Sequence, residues 1–166
     1  MSTDHLTATF TGLIHTLETA PVLQGYVLSV SDHLNHLAPV ARNKLTIHVL
    51  VGDSTQETPI HHESANSSII PTNFVLVCDT KLERDADVFA SASGESLLDH
   101  EYRVLRALQS SDYWGTVGNN HGWEVANIVR DDPVLTIDGG IDPDVRRFVI
   151  EITADVSFDR TDGPAR

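Results

Sequence analysis

Apolar and polar residues alternate without a break from Arg146 to Phe158. Phe148, Ile150, Ile152, Ala154, Val156 and Phe158 fall on one side, and Val149, Glu151, Thr153, Asp155 and Ser157 on the other. Six apolar positions at period two predict a long strand with one buried and one wet face. The same alternation marks Lys44 to Val51, where Leu45, Ile47, Val49 and Val51 oppose Lys44, Thr46 and His48, and Gly52-Asp53 ends the strand. Ile69 to Asp79 is apolar on both faces, with Phe74, Leu76 and Cys78 interleaved with Val75 and Val77. It predicts a strand that is central or covered on both sides, with Pro71 at its edge or start. Trp123 to Arg130, preceded by Gly122, predicts a further strand that Asp131-Asp132-Pro133 breaks.

Two segments switch to helical spacing. Leu6, Phe10, Leu13, Ile14 and Leu17 predict a helix over Asp4 to Thr19, with Thr3 or Asp4 as cap and Pro21 as the stop. Leu97, Leu98, Tyr102, Val104, Leu105 and Leu108 predict a second helix over Gly94 to Gln109, capped by Ser93, with Arg103 and Arg106 outward.

The connections are less regular. Tyr26, Leu28 and Val30 suggest a short strand, and Asp32 to Leu37 a turn of helix ending at Pro39. Asp53 to Ser68 is a polar loop or hairpin excursion, and Leu82 to Ser93 a second polar connection. Ser110 to Gly122 is rich in glycine and asparagine. Val134 to Ile137 extends the preceding strand past a bulge or stands as a short separate strand, and Asp138-Gly139-Gly140 makes a turn. Together these elements predict one α+β domain: a mixed or antiparallel sheet of about four to five strands, with two main helices packed against it. Residues 159–166 form a short tail.

Composition narrows the function classes. The 166 residues suit one core, and a hydrophobic share of 40% is incompatible with a disordered chain. No apolar run approaches the roughly 20 residues that span a bilayer. The first ten residues carry Asp4 and no Lys or Arg, so no ordinary secretory signal is expected. Cys78 is the only cysteine, which excludes an internal disulfide. The net charge is −13, Asp outnumbers Glu sixteen to eight, and Lys44 and Lys81 are the only lysines. Such a surface disfavours DNA phosphates and anionic lipid, and suits a halophilic or GC-rich source.

Candidate chemistry is sparse. His61-His62-Glu63 is the best metal candidate, and a small metal-dependent enzyme using these three is the alternative from another class. Adjacent residues rarely ligate one ion from a strand, where their side chains oppose, but from a loop they could; no HExxH or cysteine pair supports a zinc set. His33 and His36 lie three apart without further partners. No GxSxG elbow favours a hydrolase, and Gly115, Gly118 and Gly122 follow a helix and form no GxGxxG. Cys78 reads as a small core residue. No catalytic residue, metal ligand or cofactor is assigned. Tyr113 and Trp114 cap the core or anchor a subunit interface; Asp131, Asp132, Asp142 and Asp144 read as solvated turn acids or as a charge pattern on an oligomer.

The order of these segments resembles the tail terminator proteins of long-tailed bacteriophages and archaeal tailed viruses. It is carried by T-A-T-F-T-G-L-I-H-T-L, K-L-T-I-H-V-L-V, F-V-L-V-C-D and S-L-L-D-H-E-Y-R-V-L-R-A-L, and by the closing pair W-E-V-A-N-I-V-R and R-R-F-V-I-E-I-T-A-D-V-S-F, and spans Leu6 to Phe158. The resemblance implies a structural virion protein without enzymatic activity, forming a homo-oligomeric ring, usually a hexamer. Such a ring caps the tail tube, ends its growth and joins the tail to the capsid neck. Its partners are further copies of itself, the tube protein and a neck or head-completion protein. DNA passes through the lumen without specific binding, and the ring assembles in the host cytoplasm. Another head-to-tail connector or head-closure protein is the nearest alternative. Exposure guesses place the interface at Pro59, His61, His62 and Glu63, at Asp85 and Asp87, and at Tyr113 and Trp114.

Overall fold

The computed structural model describes residues 5–30, 45–51, 61–62, 67–81, 88–89, 95–109, 120–136 and 138–159. In chain order these are helix α1 (His5–Thr19), a 3-10 turn (Pro21–Leu23), strands β1 (Val27–Val30), β2 (Thr46–Val51), β3 (His61–His62) and β4 (Ser67–Lys81), helix α2 (Leu97–Gln109), and strands β5 (Asn120–Val129) and β6 (Val145–Asp159). The fold is α+β. Its sheet is mixed and six-stranded, in the order β1-β2-β4-β6-β5, with β3 added to β4. Only β1 and β2 run parallel; every other pairing is antiparallel. The sheet thus has one strand more than the pattern predicted, the two-residue β3, which pairs antiparallel with β4, His61 opposite Ile69 and His62 opposite Ser68.

β4 is central, as its doubly apolar pattern requires. It pairs with β6 along its whole length, from Ser67 opposite Asp159 to Lys81 opposite Val145. β4 starts at Ser67, so Pro71 lies inside the strand and not at its start. There it opposes Asp155, in the stretch between the part of β4 paired to β2 and the part paired to β3. A residue without an N–H is tolerated where no ladder bond is demanded of it.

One face of the sheet carries the core. Ile47, Val49, Phe74, Leu76, Cys78, Phe148, Ile150, Ile152 and Ala154 are buried and cluster with Leu13 and Leu17 of α1 and with Leu97, Val104, Ala107 and Leu108 of α2. Phe10 of α1 stacks on Phe74, with ring centroids 6.0 Å apart. α1 keeps threonines in its body because their hydroxyls bond back along the helix: Thr16 Oγ1 donates to the Gly12 carbonyl at 2.8 Å and Thr19 Oγ1 to that of His15 at 2.7 Å. Gly25, at φ 89°, makes the reversal into β1 that a side chain would resist.

α2 begins at Leu97, three residues later than Gly94, and its cap is Ser96 where Ser93 was predicted. Ser96 Oγ accepts the Asp99 N–H at 3.2 Å, and the Asp99 carboxylate accepts the Ser96 N–H at 2.9 Å and its hydroxyl at 2.8 Å. This reciprocal box satisfies two otherwise open donors, and those bonds hold the Asp99 carboxyl below its ordinary range. The predicted caps of α1, the Asp32 to Leu37 turn and most of the two polar connections lie outside the described residues.

Candidate functional site

The buried face of α2 is Leu97, His100, Glu101, Val104, Ala107 and Leu108. Their spacing follows helical turns, but two of the six are ionisable. Each is matched to a partner. Glu101 accepts from Nε and Nη2 of the Arg130 guanidinium, each at 2.8 Å, which ties α2 to the end of β5. His100 Nδ1 lies 2.7 Å from the Tyr26 hydroxyl. Arg103 donates to that same phenol oxygen at 3.2 Å and pairs with Glu95. The phenol oxygen thus sits between the Arg103 guanidinium and the His100 imidazole. Burial lowers the His100 pKa, the Glu95 carboxylate 3.5 Å from Nδ1 notwithstanding. Burial also raises that of Tyr26, against the pull of Arg103. Beside Tyr26 a cleft of about 150 Å³ is lined by Leu17, Glu18, Leu23 and Ile47.

This phase divides the predicted apolar stripe of α2. Leu98 and Tyr102 are not in the core: they are 36% and 65% exposed. They lie one turn apart on the outward side, half-buried Leu105 packs against the core, and exposed Arg106 stands one turn after Tyr102. Arg103, expected to point outward, is held at Glu95 and Tyr26.

The hairpin between β5 and β6 is the other distinctive surface. It opens at Arg130, turns at Asp131 (φ 50°), and is anchored by the Asp132 N–H on the Arg147 carbonyl at 2.8 Å. Leu135 bridges Ile141, the Asp142 N–H bonds the Val134 carbonyl at 2.7 Å, and Gly139 closes the tip at φ 81°. The predicted Asp138-Gly139-Gly140 turn is therefore present, and Leu135 stands as a single bridge in a separate arm. Leu135 and Ile141 are 68% and 62% exposed, the most exposed aliphatic side chains among the described residues. Asp138 and Asp144 are exposed beside them and Asp142 is half-buried.

No protein-family profile and no curated protein matches this chain. What it can do is therefore argued from its own geometry.

The second face of the sheet holds a buried polar group. Arg147 donates to both oxygens of Asp79, its directly opposed neighbour, at 2.7 and 2.8 Å. His48 Nε2 lies 3.6 Å from the same carboxylate, longer than a hydrogen bond. Burial opposes ionisation of Asp79, but the Arg147 hydrogen bonds, with His48, outweigh it and hold the carboxyl below its ordinary pKa. A histidine–aspartate pair is a familiar catalytic fragment, yet here both residues are sealed from solvent. Cys78 belongs to the other face, and burial, followed by the Asp79 charge, raises its pKa well above the ordinary thiol value. The His48–Asp79–Arg147 group is a cross-strand clamp.

Of the predicted interface residues, Pro59, Glu63, Asp85, Asp87, Tyr113 and Trp114 lie outside the described residues. His61 and His62 are consecutive positions of β3. Among the described residues, no three His, Cys, Asp or Glu side chains converge as a metal set. The reading of the sequence missed the outward Leu98 and Tyr102 of α2 and the Leu135–Ile141 pair. Two aliphatic residues flanking an Asp-Gly-Gly turn, isolated among aspartates, were the available signal for the pair.

Proposed function

We propose that the protein is a structural component of a viral tail, a tail terminator that forms a ring on the end of the tail tube and joins it to the capsid neck. The observation that carries this reading is the pairing of β4 and β6 over fifteen residues each. At about 3.3 Å per residue the pair spans roughly 50 Å. A compact globule of this chain length has a radius of gyration near 15 Å, or a diameter of about 40 Å. A strand pair longer than the globule, with β2 covering only the Phe74–Asp79 part of β4 and the two-residue β3 only Ser68–Ile69, gives an arm suited to contact beyond the protomer. The α+β order of two helices and a long closing strand pair is what the resemblance implies. The charge of −13 supports a lumen that repels passing DNA. The virion, and the host cytoplasm during assembly, are the sites this role requires.

Purified protein is incubated with tail tubes and, separately, with portal-bearing capsids, then imaged by electron microscopy. Rings on tube ends that stop further tube growth are expected. Binding to portals in place of tubes would assign the protein to the head-closure connectors, and binding to neither would remove it from the neck altogether. A ring with a basic lumen would refute the electrostatic role of the acidic surface.

A further inference from the structure

We propose that the contact between Tyr26 and His100 is an acid-sensitive latch: it holds the lead-in to β1 against α2, and proton uptake by His100 releases the segment from Ala20 to Val30. Three side-chain contacts meet there. The Tyr26 oxygen lies 2.7 Å from His100 Nδ1 and accepts from Arg103 Nη1 at 3.2 Å. The Tyr26 ring meets the imidazole edge-on, with centroids 5.5 Å apart and planes at 63°. The segment has modest support elsewhere. Its turn bonds are local, from the N–H of Leu23 to Ala20, of Gln24 to Pro21 and of Tyr26 to Leu23, and Ala20 and Leu23 are its buried residues before Tyr26. Among the described residues, β1 stands at the end of the sheet and pairs with β2 alone, Val27 to Val30 against Thr46 to Val49. A short edge strand is the kind of element that opens before the rest of a fold. The latch thus governs one edge of the sheet.

The trigger is the burial of His100. Closed, the imidazole is 1% exposed, and a proton placed on it forfeits its hydration. The charged groups facing it are Glu95, Asp99 and Arg103, all beside or on α2, with the Tyr26 phenol from the other side. Glu95 favours the cation from 3.5 Å but is already paired with Arg103, and Asp99 is bonded to Ser96. Arg103 opposes it, aimed at the same phenol oxygen. Burial prevails and lowers the His100 pKa. Opened, the imidazole meets water and takes up a proton near its ordinary pKa of about 6.5. The open state binds the proton that the closed state refuses, so acid favours opening. The latch is independent of the ring reading.

Hydrogen exchange read by mass spectrometry across this pH range, corrected for the intrinsic pH dependence of exchange, tests the latch. In the unchanged protein the peptide covering residues 20–30 should open about tenfold more per pH unit below about pH 6.5, while peptides from β4 and β6 keep their protection. His100→Asn should make that opening independent of pH. Tyr26→Phe, which keeps the ring and removes the hydroxyl, should raise it already at neutral pH, and decides alone should His100→Asn not fold. Exchange of residues 20–30 that does not change with pH, or the same pH slope in His100→Asn, overturns the latch. Loss of protection in β4 and β6 at the same pH also overturns it, because the whole fold then opens at once. So does a Tyr26→Phe protein that exchanges like the unchanged one.

Discussion

Arg147 and Asp79 stand directly opposite each other on β6 and β4 and share two hydrogen bonds, at 2.7 and 2.8 Å. The carboxylate is almost wholly buried and the guanidinium nearly so. Removing one partner leaves the other charge uncompensated in the sheet. Arg147→Met should therefore cost about 3 kcal/mol or more, read as a lower midpoint in urea at unchanged slope. Replacing both residues by apolar ones of similar volume should cost less than that single change. The pH dependence has a definite sign. The folded pKa of Asp79 lies below its unfolded value of about 3.9. Its contribution is complete above that unfolded value and is lost as pH falls through the folded one. Asp79→Asn should flatten this acid limb.

How legible such features were in the sequence differs from element to element. The strand at Phe148 to Phe158 was readable because period two admits one assignment of faces. β1 beside β2 was not, since a parallel pairing depends on a crossover and leaves no local pattern. α2 misled in phase. Leu97-Leu98 and Val104-Leu105 are doubled apolar pairs, so two stripes fit the same letters. The deciding residues were His100 and Glu101, which look solvent-facing. They are buried because Tyr26 and Arg130, 74 and 29 residues away, supply their hydrogen bonds. Burial of a charge is set by its partner, and sequence spacing does not reveal one.

His100 gives a second pH dependence, in a separate window. Burial keeps its pKa below the ordinary value near 6.5. Below that pH the unfolded chain takes up a proton that the folded chain refuses. Its contribution is therefore complete above about pH 6.5 and declines as pH falls toward the folded value. His100→Asn should lower stability at neutral pH and remove this slope, and the difference between the two stability curves between pH 5 and 7 isolates it.

The start of α2 depends on one side chain. Ser96→Ala removes the oxygen that accepts the Asp99 N–H and the hydroxyl that donates to its carboxylate. A loss of about 1 kcal/mol is expected, with Ser96→Thr retaining most of it. Thermal melting resolves that difference. A Ser93→Ala change of equal size would return the cap to the earlier position.

The phase of α2 has a measurable consequence. Leu97 is 1% exposed and Leu98 is 36% exposed, so two leucines adjacent in sequence belong to different surfaces. Leu97→Ala opens a cavity in the core and should cost between about 2 and 5 kcal/mol. Leu98→Ala leaves no cavity and should fall within about 0.5 kcal/mol of the unchanged protein. Equal stability losses at the two positions would place Leu98 in the core beside Leu97 and overturn this phase of the helix.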